Sequence, residues 1–255
     1  MLKLEKRPQP SRLWTYLTPV VAVVITMIAG GALFALLGKN PVEAIGTIFW
    51  EPLFGEFAFY YRPQLLVKGA PLILIAIGLS LGFRAGIWNI GAEGQYIIGA
   101  LTGAGAGLAF YPMEAWFIFP LMVIAGALGG WAWAMIPALL KVKFGTNEIL
   151  VSLMLVYVAN LLLDFLVRGP WRDPEGYNFP ESRDFGASAT VPEILSMGAF
   201  GGRANRGILI AIAAAVLTMI LIARTLKGFE IAVGGASARA ARFAGFDARA
   251  TTLFV

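Results

Sequence analysis

Neither cysteine nor histidine occurs among the 255 residues. Their absence excludes Ser-His-Asp and Cys-His nucleophilic sites, Cys/His zinc centres, thiol redox chemistry and histidine-ligated haem. Charge is scarce as well, since only 14% of residues are Asp, Glu, Lys or Arg. An ordinary soluble domain carries about 25%. Apolar residues make up 58% of the chain and the mean hydropathy is +0.76. Soluble globular, disordered and disulfide-framework proteins are all incompatible with that balance, which belongs to a chain embedded in lipid. No G-x-x-x-x-G-K-[ST] phosphate loop and no clustered carboxylate pair is present, so a membrane enzyme is disfavoured. The net charge of +5 reports cytoplasmic loops facing lipid headgroups, not nucleic acid.

Uncharged runs set out the organisation. Residues 16–37 provide 22 without a charge, 115–140 provide 26 and 94–113 provide 20. A hydrocarbon core needs about 20 residues of helix. Residues 149–163 and 207–223 are shorter clean runs that also predict spans. The first run is too long for a signal-peptide core and no A-x-A site follows it closely, so it is read as a retained helix. Residues 69–83 form a further apolar run, separated from the 94–113 run by Arg84, eight uncharged residues and Glu93. Two arrangements stay open there: a span, a short cytoplasmic turn and a span, or a helix broken within the membrane where it lines a cavity.

Orientation follows from basic residues. With the N-terminus inside, the inner segments hold twelve of the 20 Lys and Arg and five of the 15 acidic residues, a net +7 against −2 outside. The outer connection 38–63 opens with Asn40-Pro41-Val42-Glu43, an N-cap, a proline at N1 and a glutamate at N3 that predict a short helix. Phe49, Trp50, Phe54, Phe57, Phe59, Tyr60 and Tyr61 follow, suited to an aromatic belt. The second outer loop, 168–206, carries turn signals at Gly169-Pro170, Asp173-Pro174 and Gly201-Gly202. It reads either as a docking surface for an outer partner or as a solvated loop. Thr251 to Val255 begin a new apolar run and stop, which reads as a truncated seventh span.

Two segments carry the polar chemistry. Phe83 to Gln95 places Gly86, Gly91 and Gly94 beside Arg84, Asn89, Glu93 and Gln95, between two apolar runs. Asn89 is expected to cap the following helix. Trp88 offers a stacking face, Asn89 and Gln95 can exchange hydrogen bonds with a solute, and Glu93 is expected to hold Arg84 or a helix end. The competing reading is a tight turn in which Arg84 and Glu93 neutralise each other. Gly99, Gly103 and Gly107, and then Gly126 and Gly130, recur at four-residue spacing, which predicts close helix packing. Trp131 and Trp133 are assigned to packing or the interface, and Asn160 and Asp164 are weaker path candidates. In the inner segment 224–250, Ser237 can cap a helix over 238–244 that Gly245 stops. That helix is too short to stand alone and carries Arg239, Arg242 and Phe243. It docks either on anionic lipid or on a cytoplasmic partner.

At these segments the chain resembles the permease subunits of bacterial ABC importers, in the nucleoside and simple-sugar branch of the ribose/branched-chain amino-acid superfamily. Asn89-Ile90-Gly91-Ala92-Glu93-Gly94-Gln95 matches the N-I-G-x-E-G-Q motif throughout. Gly145-Thr146-Asn147-Glu148-Ile149 resembles the G-x-N-E-[VI] helix start, and Gly234, Ala240-Ala241 and Ala244-Gly245 match the coupling loop, with Ala238 where the family usually has proline. The resemblance implies one permease domain over 1–255, all-α and polytopic, with about six complete transmembrane helices and the start of a seventh. It implies a broken helix near 83–95, a cytoplasmic tail at 1–15, the 168–206 loop outside and a cytoplasmic coupling loop at 224–250. Trp88, Asn89, Glu93 and Gln95 would belong to the solute path. Gly234, Ser237, Arg239, Ala240, Ala241, Arg242, Ala244 and Gly245 would engage a cytoplasmic ABC ATPase. The ATPase would bind the ATP, leaving no cofactor, metal or catalytic residue here. A second permease subunit, an extracytoplasmic solute-binding protein or lipoprotein, and the lipids of the bacterial inner membrane complete the expected partners. An ATP-independent channel or secondary carrier is the alternative class.

The charge asymmetry generates a direct test. Cysteines introduced at Lys3 and Glu181 of this cysteine-free chain are expected to react with an impermeant thiol reagent from opposite faces of sealed vesicles. Labelling from the same face contradicts the orientation.

Overall fold

The computed structural model describes residues 11–177, 179–196 and 203–255. Part of the expected N-terminal tail and the Gly201-Gly202 turn lie outside these residues. The chain is an all-α polytopic membrane protein, and it divides into two compact units, residues 1–65 with 195–203 and residues 66–194 with 204–255.

In the first unit, α1 (Arg12–Leu36) ends at Gly38, whose φ of +72° only glycine adopts without strain. The Gly38 N–H then reaches Ala35 O and the Lys39 N–H reaches Phe34 O, closing the last turn. Asn40 caps α2 (Pro41–Ile45), its Oδ1 accepting from the Val42 N–H at 3.1 Å, as the Asn-Pro-Val-Glu run predicts. A π-helical turn, Gly46–Trp50, and α3 (Glu51–Phe54) follow.

Helix α4 (Ala58–Arg84) starts well before the uncharged run 69–83. Arg62 and Lys68 do not interrupt it, because both are exposed and a long basic side chain on a helix can reach away from the apolar face. Then come α5 (Ala92–Ala109), α6 (Ile118–Phe144), α7 (Glu148–Arg168) and α8 (Gly207–Arg224). Among the described residues, α4, α6, α7, α8 and residues 16–36 of α1 are long and apolar enough to cross a bilayer. The expected span 94–113 is α5, which has the same 18 residues as α8 but, rich in glycine and carrying Glu93 and Gln95, is not apolar enough to join them. Its 18 residues lie against α6 and α7, and Gly94, Ile98, Leu101, Gly103 and Gly107 are buried.

Glycine explains this packing. A Cβ on Gly99 would come within 3.0 Å of Gly126 O, and one on Gly126 within 3.0 Å of Gly99 O. Gly103 approaches Met122 O and Gly130 approaches Gln95 O at 3.1 and 3.2 Å on the same measure. The backbones of α5 and α6 are therefore in contact along the four-residue glycine rows. On the opposite side α7 presents Ser152, Val156 and Ala159, all buried, to α5. Ile98, Leu101 and Ala159 form the core there, with Trp133 and Trp171 packed against it. The loop after α7 folds over this end: Trp171 meets Gly105, and Glu114 Oε1 accepts from the Ala187 N–H at 3.2 Å. Two short strands, β1 (Glu193–Ser196) and β2 (Arg203–Asn205), precede α8.

Beyond α8 lie α9 (Leu226–Ala236), α10 (Ala238–Phe243) and α11 (Ala248–Phe254). The apolar residues expected to open a seventh span fall in α11. Its N-cap Asp247 accepts from the Arg249 N–H at 2.8 Å.

Wedging α5 from α6 should cost more than the same change elsewhere. Gly99→Leu is expected to destabilise the detergent-solubilised protein by about 1–3 kcal/mol, the usual cost of overpacking. Gly69→Leu, where a Cβ meets nothing within 4 Å, should leave the thermal unfolding midpoint near that of the unaltered chain.

Candidate solute cleft and coupling segment

The polar interruption at 83–95 is a true break between two helices. Gly86, at φ +75°, ends α4: the Ile87 N–H reaches Gly82 O at 2.9 Å and the Gly86 N–H reaches Phe83 O at 3.1 Å. Residues 85–91 then run beside the first turns of α7. A Cβ on Gly91 would lie 2.8 Å from both Cβ and O of Ser152, and one on Gly94 would lie 3.1 Å from Val156 Cα. The three glycines thus have separate tasks, one turning the chain and two admitting α7. The break sits at the end of the bundle where α6 stops and α7 starts, the end that carries Lys141 and Lys143.

Every hydrogen bond that pins the break is polar and local to that end. Ser152 Oγ accepts from the Ile90 N–H at 3.3 Å and donates to Ile149 O at 3.2 Å. The Glu148 carboxylate receives the Lys141 ammonium and lies beside the Trp88 backbone N–H. Asn147, the N-cap of α7, accepts from the Ile149 N–H at 3.0 Å.

Asn89 does not cap α5, contrary to the sequence expectation. The residue before α5 is Gly91, and Asn89 Oδ1 accepts from the Gly91 N–H at 2.8 Å, closing a turn two residues too early for a cap. Glu93 does not hold Arg84 either. It is exposed in the first turn of α5 and Arg84 is exposed in the last turn of α4, so each charge complements its own helix end. Among the described residues no ion pair joins them.

Two adjoining cavities open beside the break. The larger, about 600 Å³, runs along α4 from Leu74 to Gly82 and is closed by Gly130, Trp131 and Ala134 of α6. The smaller, about 150 Å³, extends toward Lys141 and Glu148. Asn89, Gln95 and Trp131 line both, and Trp88 lines the smaller one. Glu93 lines neither. Apolar walls with two amides, two indoles and one neutralised ion pair suit a neutral solute carrying hydroxyls or a flat ring. Asn160 donates to Val156 O within its own helix at 3.1 Å, and Asp164 pairs with Arg168 at 2.5 Å. Neither borders these cavities.

The segment 225–245 meets the break. Thr225 caps α9, its Oγ1 accepting from the Gly228 N–H at 3.1 Å. Gly228 has no room for a side chain, since a Cβ would come within 2.4 Å of Leu221 O. At the other end, a Cβ on Gly235 would lie 1.9 Å from Arg84 O, so α9 rests on the last carbonyl of α4. Ser237 Oγ then accepts from the Ala240 N–H and starts α10. Gly245, at φ +79°, ends it, with the Phe246 N–H on Ala241 O at 2.9 Å and the Gly245 N–H on Arg242 O at 3.0 Å. Ala241 is buried, whereas Arg239, Ala240, Arg242, Ala244 and Phe243 face outward, Phe243 at 93% exposure. Lys227 lies 5.3 Å over the Phe254 ring, and Phe229 meets Phe246 edge-on at 6.0 Å, joining α9 to α11 and to the turn after α10.

Sequence reasoning missed α9 and the close approach of Gly235, and it assigned Trp131 to packing or the interface. An uncharged glycine pair announces helix proximity but not which member touches. Ser152, buried on a long apolar run, offered no signal.

Residues 61–255 match the family model described as the permease component of branched-chain amino acid transport systems. A glucose ABC transporter permease protein of Haloferax volcanii is 37% identical over the whole chain and 67% of its own length. A guanosine ABC transporter permease protein of Bacillus subtilis is 30% identical over 93% of the chain and 66% of its own length. A nucleoside ABC transporter permease protein of Lactococcus lactis is 26% identical over 93% of the chain and 65% of its own length. The chain thus spans about two thirds of the length of the curated relatives it matches. No solved structure gives a significant match.

The two neighbouring glycines of α9 should separate on substitution. Gly235→Ala is expected to reduce the yield of folded protein or lower its unfolding temperature markedly, because backbone must move. Gly234→Ala, where a Cβ meets nothing within 4 Å, should be neutral or stabilise the helix by about 0.5–1 kcal/mol. Equal behaviour of the two in size-exclusion yield and thermal unfolding contradicts the contact with Arg84.

Proposed function

The chain belongs to the family of branched-chain amino acid transport permease components, and from that membership we propose that it conducts a nucleoside or simple sugar inward as the membrane subunit of an ABC importer. The carrying observation is the contact of α9 with the end of α4: the exposed helix α10 and the cleft beside Asn89 are joined by one backbone approach, Gly235 on Arg84 O. A push on α10 therefore reaches the break without passing through flexible side chains.

The apolar side chain of Phe243 and the guanidinium groups of Arg239 and Arg242 offer a partner an anchor and two charges. A cytoplasmic ATPase that grips this helix would move α9, tilt the end of α4 and alter the opening of the cleft. The chain supplies the path and the lever, and the ATPase supplies hydrolysis. A second permease subunit would complete the path, and a binding protein on the side of the 168–206 loop would deliver the solute. The assembly would sit in the inner membrane with the N-terminus cytoplasmic.

The test reconstitutes the complete permease with its ATPase and binding protein in vesicles and follows guanosine and glucose. Uptake should require ATP and the binding protein. Arg242→Glu should bring uptake to background while leaving membrane insertion unchanged. Wild-type uptake by this variant would return α10 to a lipid-surface helix, and uptake without ATP would replace the importer with a channel or carrier.

A further inference from the structure

We propose that Asn89 confronts the solute as a hydrogen-bond donor only, so that the cleft selects solutes placing an acceptor, such as a hydroxyl or carbonyl oxygen or an aromatic ring nitrogen, against it. This rests on the reading of the cleft as the solute path and adds to it the polarity of one contact.

The two ends of a side-chain amide are ordinarily interchangeable in shape. Here they are not. The Gly91 backbone N–H can only donate, so the Asn89 atom 2.8 Å from it is the oxygen. That oxygen is committed to the turn. The Nδ2 group, with two N–H donors, bonds to none of the described residues, and Asn89 lines both cavities.

The turn that commits the oxygen is itself held. On one side the Trp88 backbone N–H lies beside the Glu148 carboxylate. On the other, the Ile90 N–H bonds to Ser152 Oγ at 3.3 Å, and Gly91 lies so close to Ser152 that a Cβ would sit 2.8 Å away. Flipping the amide would set Nδ2 against the Gly91 N–H, two donors face to face, while the flanking contacts prevent the backbone from turning to relieve the clash. Gln95 has no such restraint and can present either end of its amide. Asn89 therefore sets the polarity of the contact and Gln95 adapts. A solute presenting an ammonium group at that point would meet donor with donor.

The experiment uses the complete transporter in vesicles, with tritiated guanosine and radiolabelled glucose as probes and uptake normalised to inserted protein. Asn89→Ser retains a hydroxyl oxygen for the Gly91 N–H but is too short to reach the solute. Asn89→Asp retains an oxygen for that N–H and turns a second oxygen into the cleft. The apparent KM of the transported probe should rise about ten-fold for Asn89→Ser, the loss of one well-placed hydrogen bond, and further for Asn89→Asp. An Asn89→Asp variant no worse than Asn89→Ser overturns the donor assignment and leaves the path reading in place. An unchanged KM in both variants removes Asn89 from the path and overturns both. Uptake of neither probe by the unaltered transporter removes the solute class, and the assignment falls with it.

Discussion

The close backbone approach of α5 to its two neighbours is the constraint on which the cleft depends. Lipid tails are as apolar as leucine, so helices in a bilayer gain little from hiding apolar side chains and associate by packing. Gly99 and Gly126 bring two main chains into contact, and Gly91 and Gly94 do the same toward Ser152 and Val156. Drawing α5 in on both sides leaves α4 facing α6 across a gap. That gap is the larger cavity, bounded by Gly78 and Leu79 on one wall and Gly130 and Trp131 on the other.

A break between two packed helices must satisfy its backbone polar groups wherever water does not reach them. Residues 85–91 do so with what lies at hand. Gly86 lets the last carbonyls of α4 accept from the chain that leaves them, Asn89 serves the Gly91 N–H, and Ser152 serves the Ile90 N–H. Glu148 binds Lys141 and lies beside the Trp88 backbone N–H, so one carboxylate sits where the end of α6, the start of α7 and the break meet. On the proposed reading, the Nδ2 of Asn89 and the amide of Gln95 would then meet the solute.

The same economy appears in residues 225–245. Helix α10 is too short to be stable by itself, yet it has a serine cap at its start, a left-handed glycine at its end and one buried alanine between. Its outward face keeps two arginines and a phenylalanine. Helix α9 is the rigid piece beneath it, seated by Gly228 on the end of α8 and by Gly235 on the end of α4. The helix that carries α10 thus touches the ends of two long apolar helices, α8 and α4.

The amino-acid sequence by itself determined the class, most of the spans, and the local stops and starts. Composition placed the chain in lipid, uncharged runs located helices, and Asn40, Asn147, Ser237 and Gly245 mark ends because capping is a short-range matter of adjacent residues. The four-residue glycine rows likewise announced close packing. Sequence could not say that α4 continues through Arg62 and Lys68, since exposed basic side chains satisfy themselves away from the helix axis. Nor could it say that Asn89 serves the turn and not a cap, because the choice depends on Ser152 holding the next peptide. Tertiary structure alone brought Gly235 against Arg84, residues far apart in the chain, and turned Trp131 toward the cleft and Glu93 away from it. Those decisions rest on which helix lies beside which, and a periodic apolar pattern is silent about neighbours.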